Sequence, residues 1–125
     1  LDLNGASTIN MISLSSDKES HITQSGSSKF KLSSLMSPLH YTTCSEATKI
    51  QIGKVNTRDI FLALYGSSQM AVKDLKAQNL YFKQSDSSRL SIQEGGCLNA
   101  TGISTENAEY NFNQFIPKHT EIHEL

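Results

Sequence analysis

Apolar and polar residues alternate along this chain in short runs, and the runs return at a fixed interval. From Ile60 to Leu75 the order is IFLALYGSSQMAVKDL. An alternating run (Ile60, Leu62, Leu64) leads to a polar turn (Gly66-Ser67-Ser68), a second alternating run (Met70, Val72) and a closing Leu75. The second turn residue recurs at 5, 26, 46, 66, 86 and 106, giving spacings of 21, 20, 20, 20 and 20. The flanking columns keep this register. One reads Ile9, Phe30, Ile50, Met70, Leu90, Tyr110, and the next reads Met11, Leu32, Ile52, Val72, Ile92, Phe112. A third reads Leu14, Leu35, Val55, Leu75, Gly95, Phe115. Sixteen of these eighteen residues are plainly apolar in a chain that is 37% hydrophobic, so the columns do not arise by chance.

Alternation of period two marks strands with one buried face. A second, less regular strand precedes each turn, with columns Leu1, Ile22, Thr42, Leu62, Phe82, Gly102 and Leu3, Gln24, Cys44, Leu64, Gln84, Ser104. A single copy, with two short strands and two corners, cannot bury a face alone, but copies stacked on one another can. The pattern therefore predicts an all-β fold. It is a right-handed parallel β-helix (a solenoid) of about six coils, one coil per repeat, each about 4.8 Å from the next. Leucine-rich repeats share the period but need an L-x-x-L-x-L frame that is missing here. A β-sandwich would explain the turns but not column identity at 20-residue intervals.

At 125 residues the chain reads as a single domain, with coils over 1–115 and a cap or tail over 116–125. The register is expected to end at Ile116-Pro117, with the tail KHTEIHEL covering the end of the stack. Residues 40–55 are the weakest copy, because Thr42, Cys44 and Glu46 replace apolar residues and glycine. The last copy decays at Gly95-Gly96, Gly102 and Ser104. Asp59, Asn79 and Asn99 recur once per repeat before the pre-turn strand and read as a corner ladder, since a calcium-binding row needs a glycine frame the chain lacks. Residue 1 is Leu and falls within a strand column, so a mature or excised piece with a segment upstream is expected.

The turns and the runs behind them, NGASTINM, SGSSKFKL, YGSSQMAV and SDSSRLSI, resemble the auto-transporter adhesin head GIN domain family of Bacteroidetes and related bacteria. The segment LKAQNLYFKQSDSS (75–88) resembles that family's connecting segment, and the likeness covers residues 1 to about 92. It implies a β-helix in a secreted or cell-envelope protein and supplies no catalytic residues. Glu46, Asp86 and Glu106 depart from the family's glycine.

Composition adds limits more than leads. The net charge is −1, so no strong overall field draws in nucleic acid, and no apolar run approaches a transmembrane length. Cys44 and Cys97 fall in different columns about two coils apart, farther than a disulfide can span, and are expected as free thiols.

Four constellations bear on chemistry. With 60, 62, 80 and 82 inward, Tyr41, Phe61 and Tyr81 point outward in one column and offer a contact surface for a glycan, a protein or a second copy of the chain. Asp86 and Glu106 share a turn column about 5 Å apart, the separation of a retaining glycosidase pair, although two solvated turn residues, with Arg89 beside Asp86, are the simpler account. Lys29, Lys49, Gln69 and Arg89 form a basic column suited to an anionic polysaccharide or to plain solvation. His119 and His123 lack the H-E-x-x-H frame, and His21 and His40 are placed near loops, so no metal or cofactor is expected. The reading is a non-catalytic binding module, with a polysaccharide-cleaving enzyme or a self-associating scaffold as the alternatives.

Overall fold

Stacking apolar columns requires each strand to pair with the strand one lap away, and the computed structural model has that arrangement. It describes residues 2–105 and 107–124. The strands are Asp2–Leu3 (β1), Thr8–Ser15 (β2), Glu19–Gln24 (β3), Lys29–Met36 (β4), Leu39–Cys44 (β5) and Lys49–Asn56 (β6). They continue as Asp59–Leu64 (β7), Gln69–Lys76 (β8), Asn79–Gln84 (β9), Arg89–Ser104 (β10) and Glu109–Glu124 (β11). All pairs are parallel. One side of the stack runs β1-β3-β5-β7-β9-β10 and another β2-β4-β6-β8-β10, with β11 pairing along β10. The chain is a β-solenoid of about six turns, each a 20-residue lap.

Register follows the sequence columns. Ile50 pairs with Phe30 and Met70, and Met70 with Leu90. These four side chains are at most 2% exposed and sit in a single core. The longer strand is creased, however. Pairing skips residue 93 and its equivalents: Ile92 meets Val72 and Glu94 meets Asp74. Inward side chains shift phase there, from Val72 to Leu75 and from Ile52 to Val55.

Less regular inward positions hold polar residues that hydrogen-bond through their donors, although Gln84 Oε1 and the Ser68 and Ser88 hydroxyls are buried without a partner among the described residues. Gln24 Nε2 donates to Ser28 Oγ and to Lys49 O, both at 3.3 Å, and Gln84 Nε2 donates to Glu109 O at 2.8 Å. Each glutamine thus ties its lap to the corner of the next, which offsets the cost of burying an amide. The decay expected in the last copy is compensated by neighbours. A Cβ at Gly102 would lie 2.3 Å from the Phe82 ring, so the large residue below fills the space the small one leaves. Phe82 also meets Tyr110 and Phe112, with centroids 5.5 and 6.0 Å apart.

The C-terminal segment differs from expectation. Register does not end at Ile116-Pro117. β11 continues in step, with Cys97 opposite Pro117, Asn99 opposite His119 and Ser104 opposite Glu124. Residues 116–124 are therefore part of the last lap and do not fold over its end. Proline is tolerated because the amide in this column points away from the preceding lap, as Ser37 N–H does toward Asn56 O and Thr57 N–H toward Lys76 O.

The turn glycines are explained by backbone geometry. Gly5, Gly26 and Gly66 have φ of 70°, 76° and 66°, and Glu46 and Asp86 take the same left-handed conformation at 62° and 59°. Asp86 recovers part of the cost by accepting a bond from Gly66 N–H at 3.1 Å. Glu46 has no such bond among the described residues, and a non-glycine residue there costs about 1 kcal/mol or more. Glu46→Gly is expected to raise the free energy of urea unfolding by about 1 kcal/mol. An unchanged or lowered midpoint would show that the turn is not held left-handed at this position.

Candidate functional site

Outward positions obey the same register as inward ones, so like residues meet vertically. In the third position of β5, β7 and β9, Tyr41 pairs with Phe61 and Phe61 with Tyr81. Their rings stack, with centroids 4.9 and 4.7 Å apart and interplanar angles of 13° and 10°. The ladder has a fourth member: His21 of β3 stacks on Tyr41 at 4.8 Å and 10°. Both His21 and His40 lie on strands, close to the corners that precede them. The 20-residue period already placed His21 beneath Tyr41.

Stacking also restricts what the ladder can do. Both ring faces of Tyr41 and Phe61 are covered by neighbours, and sugar rings dock on open ring faces. Ring edges, which carry the positive end of the quadrupole, are what the ladder presents sideways. Those edges form one wall of a groove of about 350 Å³ along the axis. Thr43, Ala63, Lys83 and Ile103 form the other wall, and the backbone of Thr42, Leu62, Phe82 and Gly102 forms the floor. Tyr81 is 37% and Ile103 40% exposed, so the groove is open to solvent. Ladder and groove are both rigid because every member sits on a strand paired on both sides.

The other candidates do not converge. The Asp86 carboxylate is occupied by Gly66 N–H and lies on an exposed turn, while Glu106 falls outside the described residues. Asp59, Asn79 and Asn99 form the expected ladder: Asn79 Nδ2 donates to Asp59 Oδ1 at 2.7 Å and Asn99 Nδ2 to Asn79 Oδ1 at 3.0 Å. Arg58 Nε closes its lower end on Asp59 Oδ2 at 3.1 Å. In the basic column, Arg89 lies 3.7 Å from Glu109. His123 lies beside Glu121 at 3.6 Å. No cluster of three or more His, Cys, Asp or Glu side chains able to hold a metal occurs among the described residues. Among them, too, no helix is long and apolar enough to cross a membrane.

Two buried features concern stability rather than contact. Cys44 and Cys97 are free, as expected. Burial pushes the Cys44 thiol up to about 12 and the Cys97 thiol up to about 11, which removes the reactive thiolate at neutral pH. His40, wholly buried, lies between Ser20 Oγ at 2.6 Å from Nδ1 and Thr42 Oγ1 at 2.5 Å from Nε2. Ser37 Oγ extends the network, 2.9 Å from Ser20 Oγ. The 20-residue period places His40 in the inward column of Ile60 and Leu80, but Ser20 and Ser37, which complete the network, lie on other laps and corners and carry no signal of their own in the sequence.

Compared with known proteins, the chain matches no family model, no curated protein and no solved structure.

Burial, with His21 as a lesser cause, lowers the His40 pKa from its ordinary 6.5 to about 4. The unfolded chain therefore binds a proton in that interval that the native chain does not, and stability falls as pH drops from 6.5 toward 4. The loss attributable to His40 is at most ~3 kcal/mol. Urea unfolding measured across that interval should show it, and His40→Leu should flatten the slope while lowering stability near neutrality. An equally steep slope in the variant would assign the acid sensitivity to other groups.

Proposed function

We propose that this chain is a non-catalytic binding module of the bacterial envelope or exterior, which holds a protein partner in the groove beside the Tyr41–Phe61–Tyr81 ladder. The observation that carries this reading is the groove itself: rigid, open to solvent, and walled by ring edges and aliphatic side chains. Its dimensions suit apolar side chains of an extended segment lying along the axis. A glycan platform is less well served, because the two inner rings have no free face. Envelope location rests on the resemblance of the turns to the GIN domain family, as does the expectation of adhesion. The Asp86 carboxylate accepts from Gly66 N–H and so serves the turn, which favours a structural role for it over cleavage chemistry.

Panning a random-peptide display library on the folded protein tests the reading. Enriched peptides are expected to be aromatic- and aliphatic-rich, and Ala63→Arg, which fills the groove, should weaken them at least about tenfold. Peptides retained by Ala63→Arg would contradict the site. Glycan-array hits lost in Tyr81→Ala, with no peptides enriched, would make the ligand a carbohydrate. A dimer in light scattering dissociated by Phe61→Ser would make it a second copy of the chain.

A further inference from the structure

A second surface lies on the adjoining side of the solenoid, on the first halves of β4, β6, β8 and β10. Its outward positions are Lys29 and Lys31, then Lys49 and Gln51, then Gln69, Ala71 and Lys73, then Arg89 and Ser91. Five cations stand here, in a chain whose 11 Lys and Arg are outnumbered by 12 Asp and Glu. No acid enters these columns before Glu109 in the last lap. This side is therefore locally cationic, although the overall net charge is −1.

Two features go beyond a solvated face. Lys29 and Lys49 are direct register partners, so like charges stand one above the other, about 4.8 Å apart along the stack. Such a pair is destabilising in a sheet. Neither lysine, nor Lys31 or Lys73, makes an ion pair among the described residues. Second, Lys31 and Lys73 flank a groove of about 360 Å³, whose lining includes Ser33, Gln51, Gly53 and Ala71. A Cβ at Gly53 would lie 2.5 Å from Ser33 O, so the groove stays low there. Hydroxyl and amide groups along it can donate to and accept from sugar hydroxyls.

We infer that this cationic side binds a linear polyuronate laid along the solenoid axis, its carboxylates meeting Lys31 and Lys73 in the groove and Lys29 and Lys49 on the strand face beside it. A uronate chain carries one carboxylate on each sugar, so a single chain offers several anions to cations spread over three laps. Nucleic acid fits less well. Single strands are held by stacking on aromatic side chains, and none of these outward residues is aromatic. Phosphate recognition also favours the forked arginine, whereas four of these five cations are lysines. The inference is independent of the aromatic groove, which faces another side.

Affinity electrophoresis and calorimetry with polygalacturonate test it. The folded protein should bind polygalacturonate in 20 mM salt, about the range where screening is weak, and lose it toward 0.5 M. Lys31→Glu/Lys49→Glu should weaken binding at least about tenfold. Lys18→Glu/Lys118→Glu, with the same change in net charge but elsewhere on the chain, should leave it within about twofold. Neutral dextran should not be retained, and oligo-dT should bind more weakly than polygalacturonate. Four results would overturn the inference: no binding at low salt, an undiminished Lys31→Glu/Lys49→Glu variant, an equal loss in the control variant, or tighter binding of oligo-dT. Circular dichroism of each variant separates lost contact from lost fold.

Discussion

Everything in this molecule depends on side chains one lap apart lying over one another. A 20-residue lap cannot enclose a core by itself; it gains one only from the laps above and below. Ile50 is buried because Phe30 and Met70 flank it, and each of those is buried for the same reason. Backbone hydrogen bonding follows the same logic, with even the turns bonded lap to lap, as Ser27 N–H to Gly5 O and Ser67 N–H to Glu46 O.

Vertical register does not distinguish inside from outside, and that has consequences for the surface. Rings fall on rings from His21 to Tyr81, amides on a carboxylate and on each other from Asp59 to Asn99, and lysine on lysine at 29 and 49. The first two ladders are favourable, since stacking and side-chain hydrogen bonds repeat with the lap. The third is unfavourable for folding. A surface on which the fold's own constraint places like charges together is better explained by an external anion than by stability. The stacked rings likewise lose their faces to one another, which is why the proposed contact surface is the groove beside them and not the rings.

Much of this was legible in the sequence because the repeat is nearly free of insertions. The period, the turn, the inward columns and the outward placement of Tyr41, Phe61 and Tyr81 all follow from counting. The crease in the longer strand was visible too, as a step of three between Val72 and Leu75 where alternation allows two, but only coordinates show that pairing skips the residue between. Polar inward residues were harder to read. Gln24, Gln84 and His40 weaken the apolar pattern, and their partners lie a lap away, at Lys49, Glu109 and Ser20. The last lap misled for a related reason: Gly102 and Pro117 look like breaks in one dimension, yet Phe82 fills the first and the direction of the amide excuses the second.

The most direct test of lap-over-lap register is a set of nuclear Overhauser contacts among selectively methyl-labelled Ile50, Ile52, Met70, Val72 and Leu90. The account predicts contacts from the Met70 methyl to both Ile50 and Leu90, one lap away on either side, and from Ile52 to Val72. A Met70 methyl that meets only residues within its own lap, or an antiparallel set of contacts, would contradict it.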